Sequence, residues 1–328
     1  MEGAELNEKI RKDRAELNRV LQEASKIIIG QKEVLNSVLR GILANGHILM
    51  EGVPGIAKTL IVRTLSKIMG CQFSRIQFTP DLLPTDIIGI STYEEERGFY
   101  VLKGPIFANF ILADEINRAP PKVQSALLEG MQEKQATIGK ETFELPYPFF
   151  VLATQNPLES LGTFPLPEAQ IDRFMFKLNI LYPEASDEEA MLRRNTMLKK
   201  FEEFDIQPVL SPEKIMDMQD HVRMIYLDSK IEKYIVRIVD ATRNPSKYKI
   251  HLGKYVEWGS SPRGSLSLFI SSKAEAFLQG KSFVTPFFVK KVAPDVLRHR
   301  IILNFEGQSE GVSADDVVKE ILEKVPVP

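Results

Sequence analysis

The stretch GVPGIAKT, residues 52–59, decides the fold of this chain. It follows the apolar residues 48–50, and it opens the segment 59–69, whose pattern predicts a helix. A strand, a glycine-rich turn and a helix that starts with Lys and Thr are typical of a P-loop, whose backbone N–H groups bind phosphate. Lys58 would then bind the β- and γ-phosphates, and Thr59 would offer its hydroxyl to Mg²⁺. The stretch therefore predicts binding of a nucleoside triphosphate.

The stretch departs at one position from the usual P-loop pattern GxxxxGK[ST], because Ala57 stands where that pattern has its last glycine. Alanine fits if the residue has helical dihedral angles, whereas a positive φ would cost about 1–2 kcal/mol. The alternative interpretation is an ordinary glycine turn between a strand and a helix.

Composition sets limits on the class of protein. The 328 residues are enough for two domains, and the contents of 44% apolar and 26% charged residues are ordinary for a globular protein. With 42 basic and 44 acidic residues, the chain has no overall charge that would attract nucleic acid. The single cysteine, Cys71, excludes an intrachain disulfide. We see no signal peptide and no apolar run of the ~20 residues that span a bilayer, so we expect a cytoplasmic protein.

Periodicity predicts an α/β fold. Besides the strand before the P-loop, four apolar segments predict strands, and helix-length segments separate them: 72–78, 107–113, 149–154 and 174–180. Strands that are apolar on both faces indicate a parallel sheet covered by helices on each side. Two further segments, 93–103 and 135–145, predict β-hairpins with glycine at the turn. The prediction is a five-stranded parallel sheet with helices on both faces and two β-hairpin inserts.

The pattern changes near Pro183, where we place a domain boundary. Residues 1–183 would form the α/β nucleotide-binding domain with an N-terminal helix, and residues 184–328 a smaller, mainly helical domain. Ser186 and Glu189 predict a capping box for a helix over 187–204. Later helices are predicted to start near Ser211, Asp228, Ser261 and Ser313.

Two carboxylates end the strand FILA, residues 110–113. Ligands of open α/β sheets bind at the carboxyl ends of the strands, so Asp114 would hold Mg²⁺ through water and Glu115 would orient the attacking water. Asn156, at the end of the next strand, could hold the same water or the γ-phosphate. The alternative for Asn156 is a turn-forming role before Pro157.

Two arginines call for an explanation. Arg263 lies in SPRGS at a predicted helix start, where a cation opposes the helix dipole unless an anion is close. Arg173, just before the last strand, could be a solvated surface residue. It could also reach the γ-phosphate bound to a neighbouring subunit, as an arginine finger does.

Taken together, these motifs give the chain a resemblance to the AAA+ ATPases, and within them a close resemblance to the MoxR family. The matching stretches cover nearly the whole chain: IIGQ (28–31), GVPGIAKT, RIQFTPDLLPTDIIG (75–89), GPIFANFILADEINRAPPKVQSALLEGMQE (104–133), ATQNP, GTFPLPEAQIDRF (162–174) and SPR. Ala57 in the P-loop is usual for that family.

The resemblance implies a role for each motif. Asp114 and Glu115 would form Walker B, Asn156 would be sensor 1, Arg173 the arginine finger acting in trans, and Arg263 sensor 2. Arg118 would be a second inter-subunit arginine. The residues implied in nucleotide binding are Ile28, Ile29, Gly30 and Gln31 beside the adenine, and Gly52, Val53, Pro54, Gly55, Ile56, Ala57, Lys58, Thr59 and Leu60 in Walker A.

The resemblance also implies an assembly and a function. Members of the family form hexameric rings, act as chaperone-like ATPases with ATP and Mg²⁺, often insert metal cofactors, and often work with a von Willebrand factor A domain protein. The helical second half would be the lid, and the hairpins would face the central channel or the partner.

Two other functions are compatible with the same ATP-binding core. One is a nucleic-acid motor, but the tips YEEERGFY and IGKETFE lack the clustered Lys and Arg that track phosphates, so nucleic acid is not the expected partner. The other is a nucleotide-gated scaffold, which could dispense with Glu115 and Arg173.

Overall fold

The computed structural model describes residues 2–52, 58–96, 98–156, 162–193 and 201–328, with side chains from residue 5 onward. The strands in this part of the chain are β1 Ile48–Gly52, β2 Phe73–Gln77, β3 Gly89–Glu94, β4 Gly98–Lys103, β5 Phe110–Asp114, β6 Gln135–Ile138, β7 Glu141–Glu144, β8 Phe150–Gln155, β9 Phe176–Ile180, β10 Val256–Trp258 and β11 Ile302–Leu303. The helices are α1 Glu2–Ala24, α2 Lys32–Leu43, α3 Lys58–Ile68, α4 Pro84–Ile88, α5 Pro121–Glu133, α6 Glu168–Ile171, α7 Ala185–Arg193, α8 Pro212–Met224, α9 Ser229–Arg243, α10 Pro262–Leu278, α11 Pro286–Leu297, α12 Phe305–Ser309 and α13 Ala314–Lys324.

The central sheet has five strands in the order β2-β5-β8-β1-β9, and every pairing in it is parallel. Successive residues of a strand face opposite sides, so Ile48 and Met50 pack on one face of the sheet and Leu49 on the other. Helices α1, α2 and α3 contribute to the first core, and α5 contributes to the second. The predicted parallel sheet covered by helices on both faces is confirmed.

Both predicted hairpins are present. Strands β3 and β4 pair antiparallel next to α4, and β6 and β7 pair antiparallel after α5. The second hairpin has a two-residue turn in which Gly139 has a φ of 64°, a conformation that glycine adopts without steric cost. The first hairpin starts at Gly89, four residues before the predicted 93–103, and its turn residue Arg97 lies outside the described residues.

The chain after β9 is mainly helical, as the sequence predicts, and it adds the small antiparallel pair of β10 and β11. Helices α8, α9, α10, α11 and α13 share a hydrophobic core with α1, α2 and one face of the sheet. The predicted capping box at Ser186 is wrong. Helix α7 begins at Ala185, so Ser186 is already inside the helix and cannot precede its first turn. None of the described helices is both long and apolar enough to cross a membrane.

A buried ion pair joins α2 to α10. The guanidinium of Arg40 contacts the carboxylate of Glu275 at 2.7 Å, and the two side chains are 2% and 1% exposed. Glu275 also contacts Lys291 on α11 at 2.9 Å. Burial raises the pKa of Glu275, but the nearby cations Arg40 and Lys291 bring it below its ordinary value. Ion pairs therefore join α2 to the consecutive helices α10 and α11, which follow it by more than 200 residues.

We expect Arg40→Met to lower the free energy of unfolding by about 3–5 kcal/mol, because it leaves Glu275 buried with one cation fewer. Urea titration followed by circular dichroism measures the effect. The matched control is Lys12→Ala, which breaks the exposed pair of Lys12 and Glu8 and should leave the urea midpoint unchanged. Equal midpoints for Arg40→Met and the unmodified protein would show that the pair does not stabilise the fold.

Candidate active site

The carboxyl ends of β1, β5 and β8 meet at one edge of the sheet, where the predicted phosphate-binding lysine lies. Lys58 is the first residue of α3, and its ammonium donates a hydrogen bond to the Gly52 carbonyl oxygen at 2.5 Å. Burial lowers the pKa of Lys58, while the negative charges of Asp114, Glu115 and Glu51 oppose that shift. The lysine is thus close to Asp114, the predicted Mg²⁺ ligand, and to Glu115, the predicted catalytic carboxylate. The turn between Gly52 and Lys58, residues 53–57, lies outside the described residues.

Asp114 ends β5 and is held by both neighbouring strands. Its Oδ1 accepts a hydrogen bond from the Thr154 hydroxyl of β8 at 2.7 Å. Its Oδ2 accepts hydrogen bonds from Arg75 of β2, at 3.1 Å from Nε and 2.6 Å from Nη2. Because β2 and β8 flank β5, the carboxylate is fixed from both sides.

Glu115 turns the chain away from the sheet. Its backbone has φ 57° and ψ 50°, a left-handed conformation that costs a non-glycine residue about 1–2 kcal/mol. The Thr154 hydroxyl accepts the Glu115 N–H at 2.9 Å, so one side chain fixes both carboxylate residues. The Glu115 Oε2 accepts hydrogen bonds from Gln77 and Arg118, both at 3.0 Å. The strained backbone and these donors give the Glu115 carboxylate a defined orientation.

The residues at this edge suit magnesium. Mg²⁺ prefers oxygen ligands and is commonly held by one or two carboxylates together with substrate phosphates. Asp114 supplies a carboxylate, and Thr59 follows Lys58 on α3 with a hydroxyl. Among the described residues there is no cluster of three or more His, Cys, Asp or Glu side chains that could hold a metal alone.

Asn156 lies at the same edge, one residue beyond the end of β8, and is 7% exposed. Thr154, two residues earlier, is 1% exposed. Asn156 therefore follows, two residues later, the threonine that holds Asp114 and Glu115. This position is compatible with the predicted sensor role. That role stays a prediction.

The segment 28–31 connects α1 and α2, and three of its side chains are buried: Ile28, Ile29 and Gln31, at 7%, 8% and 9% exposure. Gly30 has a φ of 81°, and a Cβ there would lie 2.2 Å from a carboxylate oxygen of Asp187 on α7. Both the backbone and the close approach of α7 therefore require glycine. Leu60, on α3, packs partly buried against the first core. Contact of these residues with adenine stays a prediction.

Arg173 lies at the opposite edge of the sheet. It precedes β9 by three residues, and the first residue of β9, Phe176, pairs with the first residue of β1, Ile48. Its side chain is exposed, and its Nη1 donates a long hydrogen bond of 3.4 Å to the Leu128 carbonyl oxygen. Lys58, in contrast, lies beyond the last residue of β1.

Arg263 lies beside Arg173 and not beside Lys58. Its Nη1 is 3.9 Å from Oδ2 of Asp172, and this carboxylate is the anion near the start of α10 that the sequence left unidentified. The two arginines line one pocket together with Lys134, Asp172 and Arg300. Burial lowers the pKa of Lys134 to about 8. The pocket surface contains more cationic than anionic side chains and is suited to an anion.

The two edges are too far apart for one chain to use both. A five-residue strand spans about 13 Å, which is more than an extended Arg side chain reaches. Within one chain, the structure therefore brings together Lys58, Asp114, Glu115 and Asn156. It places Arg173 and Arg263 together elsewhere.

Sequence reasoning did not assign site roles to three side chains at the carboxyl edge: Arg75, Gln77 and Thr154. Arg75 and Gln77 are two residues apart on β2, so their side chains lie on the same face of the sheet. The only sequence signal for Thr154 is a hydroxyl side chain near the end of an apolar predicted strand. Their role depends on β2 and β8 flanking β5, and that order is not written in the sequence.

The parallel sheet, the P-loop lysine after β1 and the two carboxylates at the end of β5 define a AAA+ ATPase. The comparisons agree. The family described as "ATPase family associated with various cellular activities (AAA)" matches residues 47–176, and the family described as "AAA lid domain" matches residues 252–321.

Relatives and a solved structure match nearly the whole chain. Chaperone MoxR1 of Mycobacterium tuberculosis is 44% identical over 314 residues, covering 95% of this chain and 82% of that protein. The uncharacterized protein YeaC of Bacillus subtilis is 42% identical, covering 95% of both chains. A crystal structure of a protein from Cytophaga hutchinsonii, named there as a candidate ATPase, superposes with a TM-score of 0.92 at 46% identity, covering 100% of this chain and 99% of the other. The chain belongs to the MoxR family of AAA+ ATPases.

Thr154→Val should lower ATP turnover by about tenfold or more, because the Asp114 carboxylate and the Glu115 backbone N–H lose the hydroxyl that positions them. It should also cost about 1–2 kcal/mol of stability, since the Glu115 N–H loses its acceptor. Steady-state phosphate release and urea unfolding measure the two effects.

The control is Thr137→Val, which changes an exposed threonine of the second hairpin in the same way. It should leave turnover unchanged. Normal turnover by Thr154→Val would mean that the hydroxyl does not position the carboxylates.

Proposed function

We propose that this chain hydrolyses ATP in a Mg²⁺-dependent reaction, at sites shared between subunits of a homo-oligomeric ring, and uses the energy to remodel a protein client. One observation supports this most: Lys58, Asp114 and Glu115 converge at one edge of the sheet, while Arg173 and Arg263 lie at the other. Such a division is useful only if a second chain supplies the arginines.

ATP would bind with its phosphates at Lys58. The ammonium, now donating to the Gly52 carbonyl, would donate to phosphate oxygens, which are better acceptors for a half-buried cation. Thr59 and Asp114 would hold the Mg²⁺, which neutralises charge on the phosphates. Arg75, already paired with Asp114 at 2.6 Å, orients that carboxylate.

Glu115 would accept a hydrogen bond from the attacking water and orient it toward the γ-phosphorus. Gln77 and Arg118 fix the carboxylate through Oε2, and Asn156 would hold the water or the γ-phosphate from β8. Phosphoryl transfer needs little covalent help, so positioning and charge supply most of the acceleration.

Several points of the proposal rest on the family. We infer an AAA+ domain over residues 1–183 and a lid domain over 184–328. We also infer a hexameric ring and, as partner, a von Willebrand factor A domain protein. The name Chaperone MoxR1 of one relative supports a protein client. Insertion of a metal cofactor into that client is the narrower form of this proposal.

The first hairpin supports a protein client over nucleic acid. Tyr93 and Phe99 form a cross-strand ring pair at 5.1 Å, and they are 60% and 82% exposed. Glu94, Glu95 and Glu96 follow directly at the tip. Exposed aromatic side chains bind protein surfaces, whereas the acidic residues would repel phosphates.

Glu115→Gln should bind ATP with a dissociation constant close to that of the unmodified protein and hydrolyse it about 100-fold or more slowly. The amide keeps the size of the side chain but loses the charge that polarises the water. Calorimetry measures binding, and phosphate release measures turnover. Glu133→Gln, an exposed substitution on α5, is the control. Undiminished turnover in Glu115→Gln would refute the assignment of the catalytic carboxylate.

Arg173→Ala should leave ATP binding intact and lower turnover by about 10³-fold, the range seen when an arginine finger is removed.

Because the arginine would act on a neighbouring subunit, the specific activity of the unmodified protein should rise with protein concentration. Phosphate release over a dilution series, with light scattering to follow assembly, tests this. Constant specific activity down to the monomer would contradict a shared site.

A further inference from the structure

Asp172 connects the segment before β9 to the start of α10. Its Oδ2 accepts a hydrogen bond from the Ser261 hydroxyl at 2.8 Å and lies 3.9 Å from the Arg263 guanidinium. Ser261 is also the residue that caps α10, because its hydroxyl accepts the Arg263 N–H at 3.1 Å. The residue directly before Arg173 thus holds the helix start that carries Arg263.

Arg300 connects the same segment to the end of α11. Its Nε donates to Oδ1 of Asp172 at 2.8 Å, and its Nη2 donates to the carbonyl oxygens of Asp172 and Phe174, at 3.1 and 2.7 Å. Its Nη1 donates to the carbonyl oxygen of Met175 at 3.2 Å and to that of Val296 on α11. One guanidinium therefore binds the backbone on both sides of Arg173.

The side chains of Asp172 and Arg300 are less exposed than those of Arg173 and Arg263. The side chain of Arg300 is 1% exposed and that of Asp172 is 19% exposed, whereas that of Arg263 is 46% exposed. Burial lowers the pKa of Arg300 to about 10, and the negative charge of Asp172 opposes the shift. Arg300 is buried and its charge is compensated by the half-buried Asp172, while Arg173 and Arg263 are exposed residues that line the surface pocket.

We propose that Asp172 and Arg300 are positioning residues that hold Arg173 and Arg263 as one rigid unit for the active site of a neighbouring subunit. This inference rests on the proposed trans-acting role of the two arginines. Because the pair joins the start of α10 and the end of α11 to the sheet, any shift of these two helices would move both arginines together. The position of the helical region in one subunit would then set hydrolysis in the next.

Asp172→Asn tests the proposal in the full-length protein. The amide keeps the size of the side chain but loses the charge that binds Arg300. We expect turnover to fall by about tenfold or more, as misplaced catalytic groups commonly cause, while the dissociation constant of ATP stays within about threefold. Asp217→Asn, an exposed substitution on α8, is the control. Wild-type turnover in Asp172→Asn overturns the proposal.

Mixing subunits separates positioning from a general defect. Glu115→Gln subunits have an inactive site of their own but an intact arginine unit, so a large excess of them should restore turnover at the sites of Asp172→Asn subunits. The same excess of Glu115→Gln subunits should also restore turnover at the sites of Arg173→Ala subunits. If turnover is restored at the sites of Arg173→Ala subunits but not at those of Asp172→Asn subunits, Asp172 acts within its own chain and the proposal is overturned. If neither is restored, the shared site itself fails, and with it both proposals.

A second variant guards against loss of the fold. Ser261→Ala removes the hydroxyl between Asp172 and α10 but leaves the ion pair of Asp172 and Arg300 intact. It should lower turnover less than Asp172→Asn and be restored by the same Glu115→Gln subunits. Full activity of Ser261→Ala, in a ring whose assembly is normal by light scattering, would contradict coupling of Arg263 to Asp172.

Discussion

The hydroxyl of Thr154 makes the two contacts on which the hydrolytic site depends. It donates to the Asp114 carboxylate and accepts the Glu115 N–H, so it fixes both the residue proposed to bind Mg²⁺ and the strained residue proposed to be catalytic. These contacts exist because β5 and β8 are parallel neighbours whose carboxyl ends lie side by side. A shift of one residue between these strands would turn the threonine to the other face and separate all three groups.

The same parallel arrangement places Arg173 at the opposite edge, and the contacts of the start of α10 with Asp172 place Arg263 beside it. A residue just before a strand and a residue just after its parallel neighbour cannot meet, whatever their side chains. The fold of one MoxR-family chain thus builds two half-sites, one rich in carboxylates around a lysine and one rich in arginines. Assembly is then a geometric requirement of the proposed chemistry, because a single chain cannot complete its own site.

Two ion pairs with buried arginines join the α/β part of the chain to the helical region. Arg40 with Glu275, and Arg300 with Asp172, each join the α/β part to α10 or α11. Burying an ion pair gains little free energy compared with apolar packing, but its loss leaves a costly unpaired charge. Such pairs therefore specify the relative position of elements more strongly than they add stability, which is what a site divided between surfaces needs.

Apolar periodicity and the P-loop are local patterns, so the amino-acid sequence alone predicts the five parallel strands, the two hairpins and the candidate roles of Lys58, Asp114 and Glu115. It could not identify Arg75, Gln77 and Thr154 as parts of the site, nor Asp172 as the anion beside Arg263. Those contacts join residues 38 to 91 positions apart, through the order of strands and the packing of helices. Only the tertiary structure decides them, because strand order follows from how the whole chain buries its apolar surface and not from any one segment.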